Sequence, residues 1–411
     1  MTIVQWFFTI YIAIGLLYWL FQFVTVLRVM KAVPRLARID IPELTVWPRV
    51  SVITPGRNEA ERIEAALRSR LSDDYPDLEV VMVQDRSTDE TPRIVDRLAA
   101  ENPRLKAVHI KVLPQGWLGK LYALQEGSRA ATGEWLLFSD ADVHIAPGAM
   151  RKAIAYAESR GLDHLGVVPD FWQEKSLPMN VVMCASMRTM LLALRAWDVE
   201  NPKKKAAVGV GAFNLVRRSA FMKTPGFEWL KMEVGDDVGL GYMMKRSGAK
   251  CSVAGGFGLV GMHHYRRIGD MVTGAERALF TSIGNFGLRR LAAIAVVLLL
   301  LEWSPLFALL PAGAPAPPRR RRHDAIVNYH APRRQPLDGK TALRTVLLVY
   351  RGTGVFLHVH PGRRSREGTR GDNLAGDLLS HGGIEEGEKG HAVGRVGRMF
   401  TEGVTLIAGT G

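Results

Sequence analysis

The stretch Glu134-Trp-Leu-Leu-Phe-Ser-Asp-Ala-Asp-Val143 constrains this chain more than any other. Trp135 to Phe138 is a short, continuous apolar run, which predicts a strand buried on both faces. The run stops at Ser139, and Asp140 and Asp142 follow. In an open α/β sheet, ligands bind beyond the carboxyl ends of the strands. Two carboxylates at such an end suit a hard divalent cation, which takes oxygen ligands. In isolation the same residues also fit a solvated acidic turn.

The chain before this run repeats its logic. Residues 48–54 predict a first strand, followed by Pro55-Gly-Arg-Asn-Glu59 and a helical pattern with Ile63, Ala66 and Leu67 on one face. Residues 78–83 predict a second strand that ends in Gln84-Asp85. In the next turn, Ser87 and Glu90 predict a capping box. Residues 107–112 predict a third strand and residues 121–131 a helix, which makes the Trp135 run the fourth strand. Strands alternating with helices predict parallel β-α-β units. The expected class is α/β, with a Rossmann-like, mostly parallel sheet and flanking helices.

Residues 3–26 are nearly all aliphatic or aromatic. That is longer than the roughly 20 residues a bilayer crossing needs. No small-residue cleavage site follows; Arg28, Lys31, Arg35 and Arg38 do. Residues 1–30 therefore read as a retained transmembrane helix, with the downstream chain on the cytoplasmic side of the inner membrane. A second segment, residues 291–310, contains Glu302 and Ser304-Pro305. It can span, or lie in the interface as a broken helix. The net charge of +14 calls for an anionic partner. Beside an anchor, the expected anions are lipid headgroups and a nucleotide diphosphate, with no nucleic acid expected. Two cysteines leave no disulfide framework and no zinc set.

The second half is less regular. Residues 179–196 form a Met- and Leu-rich helical stretch that suits the core, or a membrane-surface helix carrying Arg188 and Arg195. Residues 208–216 read as a glycine turn into a strand. From Pro311 the composition shifts to Gly and Arg, with the run Arg319-Arg-Arg-Arg322 and six of the eleven histidines. It carries no period and no motif. Residues 311–411 read as a basic tail, disordered or arising from a shifted reading frame. Outward spanning by residues 291–310 would place the four arginines outside, against the positive-inside rule.

The candidate chemistry is acidic, with one cation. Asp85 follows the second strand and can accept from a nucleobase N–H or a ribose hydroxyl. Gly116-Trp-Leu-Gly-Lys120 places a cation at a helix start, which favours a diphosphate. Asp140 and Asp142 can hold Mg²⁺ or Mn²⁺ across the same diphosphate. Glu233-Val-Gly-Asp-Asp237 opens a further helix and offers a carboxylate base. Each motif alone also fits a helix cap or a turn. His263-His264 is a weaker metal candidate, because the two lack helical i, i+4 spacing.

Four of these motifs together resemble the inverting family 2 glycosyltransferases. They are Val52-Ile-Thr-Pro-Gly-Arg-Asn-Glu59, Val83-Gln-Asp-Arg-Ser-Thr-Asp-Glu-Thr91, Ser139-Asp-Ala-Asp142 and Gly235-Asp-Asp237. The Gly116 to Lys120 turn and Gly209-Val-Gly-Ala-Phe213 look most like the branch of hopanoid-associated glycosyltransferases and ceramide glucosyltransferases. The resemblance covers roughly residues 49–288 and implies a GT-A fold over residues 48–288. It implies that Pro55, Arg57, Asn58, Glu59 and Asp85 line the nucleotide pocket. It assigns Asp140 and Asp142 to the metal and diphosphate, and Asp237, or else Asp236, to the base. A nucleotide-sugar donor and a lipid acceptor are the partners it implies.

The chain also departs from the family pattern. Gln84-Asp85 stands where a pair of acids is common, and Asp236-Asp237 where Glu-Asp is. Glu276-Arg277 lies where processive synthases carry Gln-x-x-Arg-Trp, which disfavours a polymerising enzyme. A sugar nucleotidyltransferase would need a Gly-rich signature that Pro55 to Glu59 does not supply. A non-catalytic basic membrane protein would have no use for acids at successive strand ends.

Overall fold

The computed structural model describes residues 2–40, 44–172, 177–263, 269 and 288–308. The described residues divide between two compact units, one holding residues 2–27 and 292–308, the other those from 28 to 291.

The chain begins with helix α1 (Ile3–Ala32). The larger unit then alternates β1 (Val50–Gly56), α2 (Ile63–Leu71), β2 (Leu78–Asp85), α3 (Thr91–Glu101), β3 (Leu105–Ile110), α4 (Gly119–Ala130) and β4 (Trp135–Phe138). After β5 (His144–Ile145) and α5 (Ala149–Ser159) come β6 (His164–Val168), β7 (Asp170–Trp172) and α6 (Leu177–Ala193). The remainder is β8 (Asn214–Arg217), α7 (Arg218–Phe221), α8 (Asp236–Arg246), β9 (Cys251–Gly255) and β10 (Val260–His263).

Seven strands form one sheet in the order β3-β2-β1-β4-β8-β6-β9, and β5, β10 and β7 form a small second sheet. β1 pairs in parallel with both β2 and β4. The chain therefore moves from β1 outward to β3 and returns on the other side of β1. Such a reversal opens a crevice at the carboxyl ends of the two strands that flank it, and β4 ends there. β4 lies between β1 and β8, and each of its side chains is at most 4% exposed, as its unbroken apolar run demands. The α/β sheet with flanking helices is as expected.

One strand runs against the rest. β8 is antiparallel to both β4 and β6, with Asn214 opposite Phe138. The start of β8 therefore lies at the finish of β4, and the glycine loop before it reaches the strand-end acids. β3 spans residues 105–110 rather than 107–112. Its partner β2 ends at Asp85, opposite Ile110, so Val112 has no ladder to join and is 76% exposed.

The capping box at Ser87 and Glu90 does not form. α3 starts at Thr91, where the Asp89 carboxylate accepts the Thr91 N–H at 3.0 Å. The Ser87 hydroxyl instead accepts the Asn58 N–H at 2.9 Å. Neither reading of the Met-rich helix describes it fully. Met179 and Met183 of α6 are buried, while Val181 and Val182 are 47% and 42% exposed.

In the smaller unit, α1 is the one described helix long and apolar enough to cross a membrane. Its partner α9 (Leu288–Ala308) is not broken at Pro305. Proline has no N–H for the carbonyl of Leu301; the Ser304 hydroxyl donates to that oxygen instead, at 2.7 Å. The apolar part of α9, Ala292–Phe307, is shorter than the roughly 20 residues a crossing needs. The two helices pack antiparallel: Tyr11 meets Phe307 edge-on, Gly15 faces Ser304, and the Tyr18 hydroxyl donates to Glu302 Oε1 at 2.5 Å. His264, Glu276, Arg277 and the tail from Pro311 lie outside the described residues, as does the His263 side chain.

Candidate active site

At the end of β4 the ladder with β1 runs one residue further, and Ser139 N–H donates to the Ile53 carbonyl at 3.1 Å. The chain then turns toward the glycine loop. The Ser139 hydroxyl donates to the Ala212 carbonyl at 2.8 Å, and the Asp140 N–H to the Gly211 carbonyl at 3.1 Å. Gly211 in turn donates its own N–H to Asp237 Oδ2 at 2.9 Å. A single peptide stretch thus ties the strand-end acid to the first turn of α8. Asp236 and Asp237 open that helix, where its dipole favours negative charge. Asp237 Oδ1 also accepts the Val238 N–H at 2.8 Å.

Lys120, the second residue of α4, completes the cluster. Its Nζ lies 2.8 Å from Asp140 Oδ1 and 3.0 Å from Asp236 Oδ2. Lys120, Asp140, Asp236 and Asp237 line one cavity together with Gly211 and Asn214. Glycine is required at two points of the loop. A Cβ on Gly211 would lie 2.8 Å from Asp140 Oδ2, and one on Gly209 would run into the Asp237 carbonyl oxygen. Backbone cannot yield as a side-chain tip does. Gly209→Ala is therefore expected to push the start of α8 off the loop and to cost on the order of 2–4 kcal/mol of stability. Urea unfolding of the two proteins measures this; equal midpoints would refute the close packing.

The electrostatics follow from three carboxylates around one ammonium. Burial pushes the Asp236 carboxyl up to about 6; Lys120 pulls it down, and Asp237 and Asp140 push it further up. Burial also raises Asp237, opposed by Lys120 and by the Val238 and Gly211 N–H groups. Burial alone would lower Lys120, but Asp140 and Asp236 hold its ammonium well above the ordinary lysine range. Asp142 is exposed and is not among the residues that line this cavity. The protein packed around it and then the Asp140 charge raise its carboxyl.

The acids outnumber the cation here, which suits a dication. Among the described residues no three His, Cys, Asp or Glu side chains gather closely enough to hold a metal by themselves. Mg²⁺ is commonly held by one or two carboxylates together with substrate phosphates. Asp140 and Asp142, two residues apart after β4, are the pair that could hold a cation in that form.

Asp85 does not line the Lys120 cavity. It is buried at the end of β2 against Gly119, the residue preceding Lys120. Arg86 holds it, with Nε 2.8 Å from Oδ1 and Nη2 3.2 Å from Oδ2. Pro55 lies within β1, opposite Val83, and Arg57 is half-buried in the loop that follows. Asn58 and Glu59 act first as lacing between two loops. Asn58 Oδ1 accepts the Thr88 N–H at 2.8 Å, and the Glu59 N–H donates to Thr91 Oγ1 at 2.8 Å. Asn58 takes a left-handed backbone, φ 55°, which asparagine tolerates better than most residues. The Glu59 carboxyl is raised by burial, lowered by Arg62 and raised again by Asp142.

Three supporting residues escaped the sequence reading. Arg70, only 4% exposed, donates to Thr54 Oγ1 and to the Asp140 carbonyl oxygen. Burial lowers it to about 10, so it stays charged at neutral pH. The available signal was a cation on the apolar stripe of α2, since Ile63, Leu67 and Arg70 share the buried face. Asn214 donates from Nδ2 to the Asp237 carbonyl at 3.2 Å, and His164 Nε2 lies 2.7 Å from Asn214 Oδ1. Burial drives His164 down to about 4. It is therefore neutral, and the amide assignment makes it the donor. No motif announced this pair.

Comparison with known proteins finds relatives for part of the chain. Residues 51–224 match the family model described as Glycosyl transferase family 2. A beta-monoglucosyldiacylglycerol synthase of Synechocystis is 34% identical over 142 residues, 32% of this chain and 28% of that protein. A 4,4'-diaponeurosporenoate glycosyltransferase of Staphylococcus haemolyticus is 24% identical over 225 residues, 53% of this chain and 56% of that protein. The chain thus spans less than two thirds of the length of either relative. A mannosyltransferase of Pyrobaculum calidifontis, solved with GDP-Man and Mn²⁺, superposes with a TM-score of 0.47 at 21% identity, covering 73% of this chain and 82% of that one. The matched stretch, residues 51–224, is less than half of the chain; it supplies Asp85, Lys120, Asp140 and the Gly211 loop, and stops short of Asp236 and Asp237.

Proposed function

We propose that this chain transfers a sugar from a nucleotide sugar, UDP-linked in the first instance, to the hydroxyl of a lipid, with inversion at the anomeric carbon. The observation that carries the reading is the convergence of Lys120, Asp140, Asp236 and Asp237 on one cavity at the sheet's reversal point. Asp237 is the base. Its two oxygens are anchored by backbone N–H groups, which leaves further lone pairs for the acceptor hydroxyl proton. Asp236 instead spends both oxygens on Lys120, and a cation partner weakens a base. Lys120 is the group that meets negative charge developing on the departing diphosphate. A divalent cation held by Asp140 and Asp142 would add positive charge to the same leaving group. Asp85 contacts the nucleoside, and Pro55, Arg57, Asn58 and Glu59 shape the pocket around it.

A lipid acceptor is supported by the names of both relatives above and by α1. With Arg28 and Lys31 at its end, α1 would anchor the enzyme in the inner membrane with the cleft on the cytoplasmic side. The half-exposed apolar α6 would lie along the membrane surface and guide the acceptor, a hopanoid or a ceramide-like lipid being the first to try. The test incubates membranes carrying the protein with radiolabelled nucleotide sugars and Mn²⁺, then extracts the lipids. Label in the lipid fraction is expected; no nucleotide sugar bound or consumed would end the reading.

The pH dependence has a fixed sign. The base works only when deprotonated, and the Asp236–Asp237 pair lies above the usual carboxylate range, with Asp236 at about 6. Transfer is expected to rise as pH increases through about 6 and then level off, the limb belonging to the pair and not to one residue. A kcat/KM profile still flat at pH 5 would contradict this.

A further inference from the structure

Arg70 stands out among the buried charges that the proposed reaction leaves unused. It lies on the inner face of α2, sealed from solvent, and its guanidinium spans two strands. One nitrogen donates to Thr54 of β1, the other to the backbone carbonyl of Asp140 just beyond β4. Both acceptors are neutral. The negative charges it faces are the carboxylates of Asp140 and Asp142. A buried cation without a directly bonded counter-ion is costly, and a leucine there would simply extend the stripe of Ile63 and Leu67. The fork, however, ties together the two strands that flank the crevice and does so through the residue that carries the acid.

We propose that Arg70 is a positioning residue, clamping the Asp140 carbonyl to Thr54 so that the Asp140 and Asp142 carboxylates face outward toward a divalent cation and the donor diphosphate. This rests on the reading of the site given above. The planar fork reaches both oxygens at once; a lysine keeps the charge but satisfies one acceptor at a time. Removing the clamp takes the donor from the buried Thr54 hydroxyl, leaves the Asp140 carbonyl with only the long Val143 N–H contact at 3.4 Å, and frees the turn on which both acids stand.

The test measures binding without turnover. Full-length protein in detergent is titrated with Mn²⁺ in the presence of UDP, and in parallel GDP, while free Mn²⁺ is followed by electron paramagnetic resonance. Arg70→Met is expected to weaken Mn²⁺–nucleotide binding by roughly 10–100-fold, the usual effect of losing a partner behind a metal ligand. Arg70→Lys recovers only part of this. Thr54→Ser behaves like the parent, and Thr54→Val falls between. In transfer assays the donor KM rises together with the Mn²⁺ requirement, whereas a purely structural role lowers the melting temperature and moves neither. A folded Arg70→Met protein that binds within twofold of the parent overturns the proposal. Should Arg70→Met fail to fold, equal affinities in Thr54→Ser and Thr54→Val overturn it. A parent protein that binds no Mn²⁺–nucleotide refutes the glycosyltransferase reading and this inference with it; a parent that binds beside unaffected variants refutes the inference alone.

Discussion

Asp237→Asn is expected to lose sugar transfer by about 10³-fold while still binding the nucleotide, since a positioned base contributes on the order of 10²–10⁴. The amide preserves shape but cannot take the acceptor proton. One of its atoms becomes a donor facing either the Gly211 or the Val238 N–H, so a modest loosening of the loop accompanies the loss. The control is Asp236→Asn, which keeps the Asp237 carboxylate and removes one of the two charges paired with Lys120. Initial rates and nucleotide affinity of both variants separate the roles. If Asp237→Asn transfers as fast as the parent, the base is Asp236 or another group.

Lys120→Met should be the next most damaging change, with transfer down by about 10²–10³-fold, the range for one preorganised donor to a developing negative charge. Its effect on the acids is as informative as the rate. Lys120 lowers both Asp236 and Asp237 against burial. Without it, three carboxylates share the cavity uncompensated, and Asp236 and Asp237 move toward the protonated form. The acid limb of the rate profile is therefore expected to shift to higher pH in the variant. Measuring kcat/KM from pH 5 to 9 in parent and variant decides the matter. An unshifted limb would show that Lys120 does not set the charge state of the base.

The two changes probe different links in the same chain of contacts. Asp237 is held through Gly211, and Gly211 receives Asp140; Lys120 connects Asp140 to Asp236 from the opposite wall. Damage at either point reaches the other without direct contact. Double variants should therefore be non-additive, as expected for groups sharing one network.

The strands were legible in the sequence because a buried parallel strand must be apolar throughout, and Trp135 to Phe138 is. The same logic marked the acids, since a charge directly after such a run has nowhere to lie but the strand end. The long apolar α1 was equally plain from length and composition. Antiparallel β8 was not, because strand direction leaves no trace in a four-residue run; it depends on which edge the chain can reach. Asp85 was placed at its strand end correctly, yet its engagement with Arg86 depends on a left-handed backbone at Arg86, φ 52°, which no spacing rule encodes. Asn58 and Glu59 looked like pocket lining, but loops adjacent in space and distant in sequence bond to each other first. Local sequence thus determined where chain segments are apolar and where charge must emerge. Only tertiary packing decided which charges meet, because Lys120, Asp140 and Asp236 come from separate elements and their pairing energy exists only once the sheet has brought those elements together.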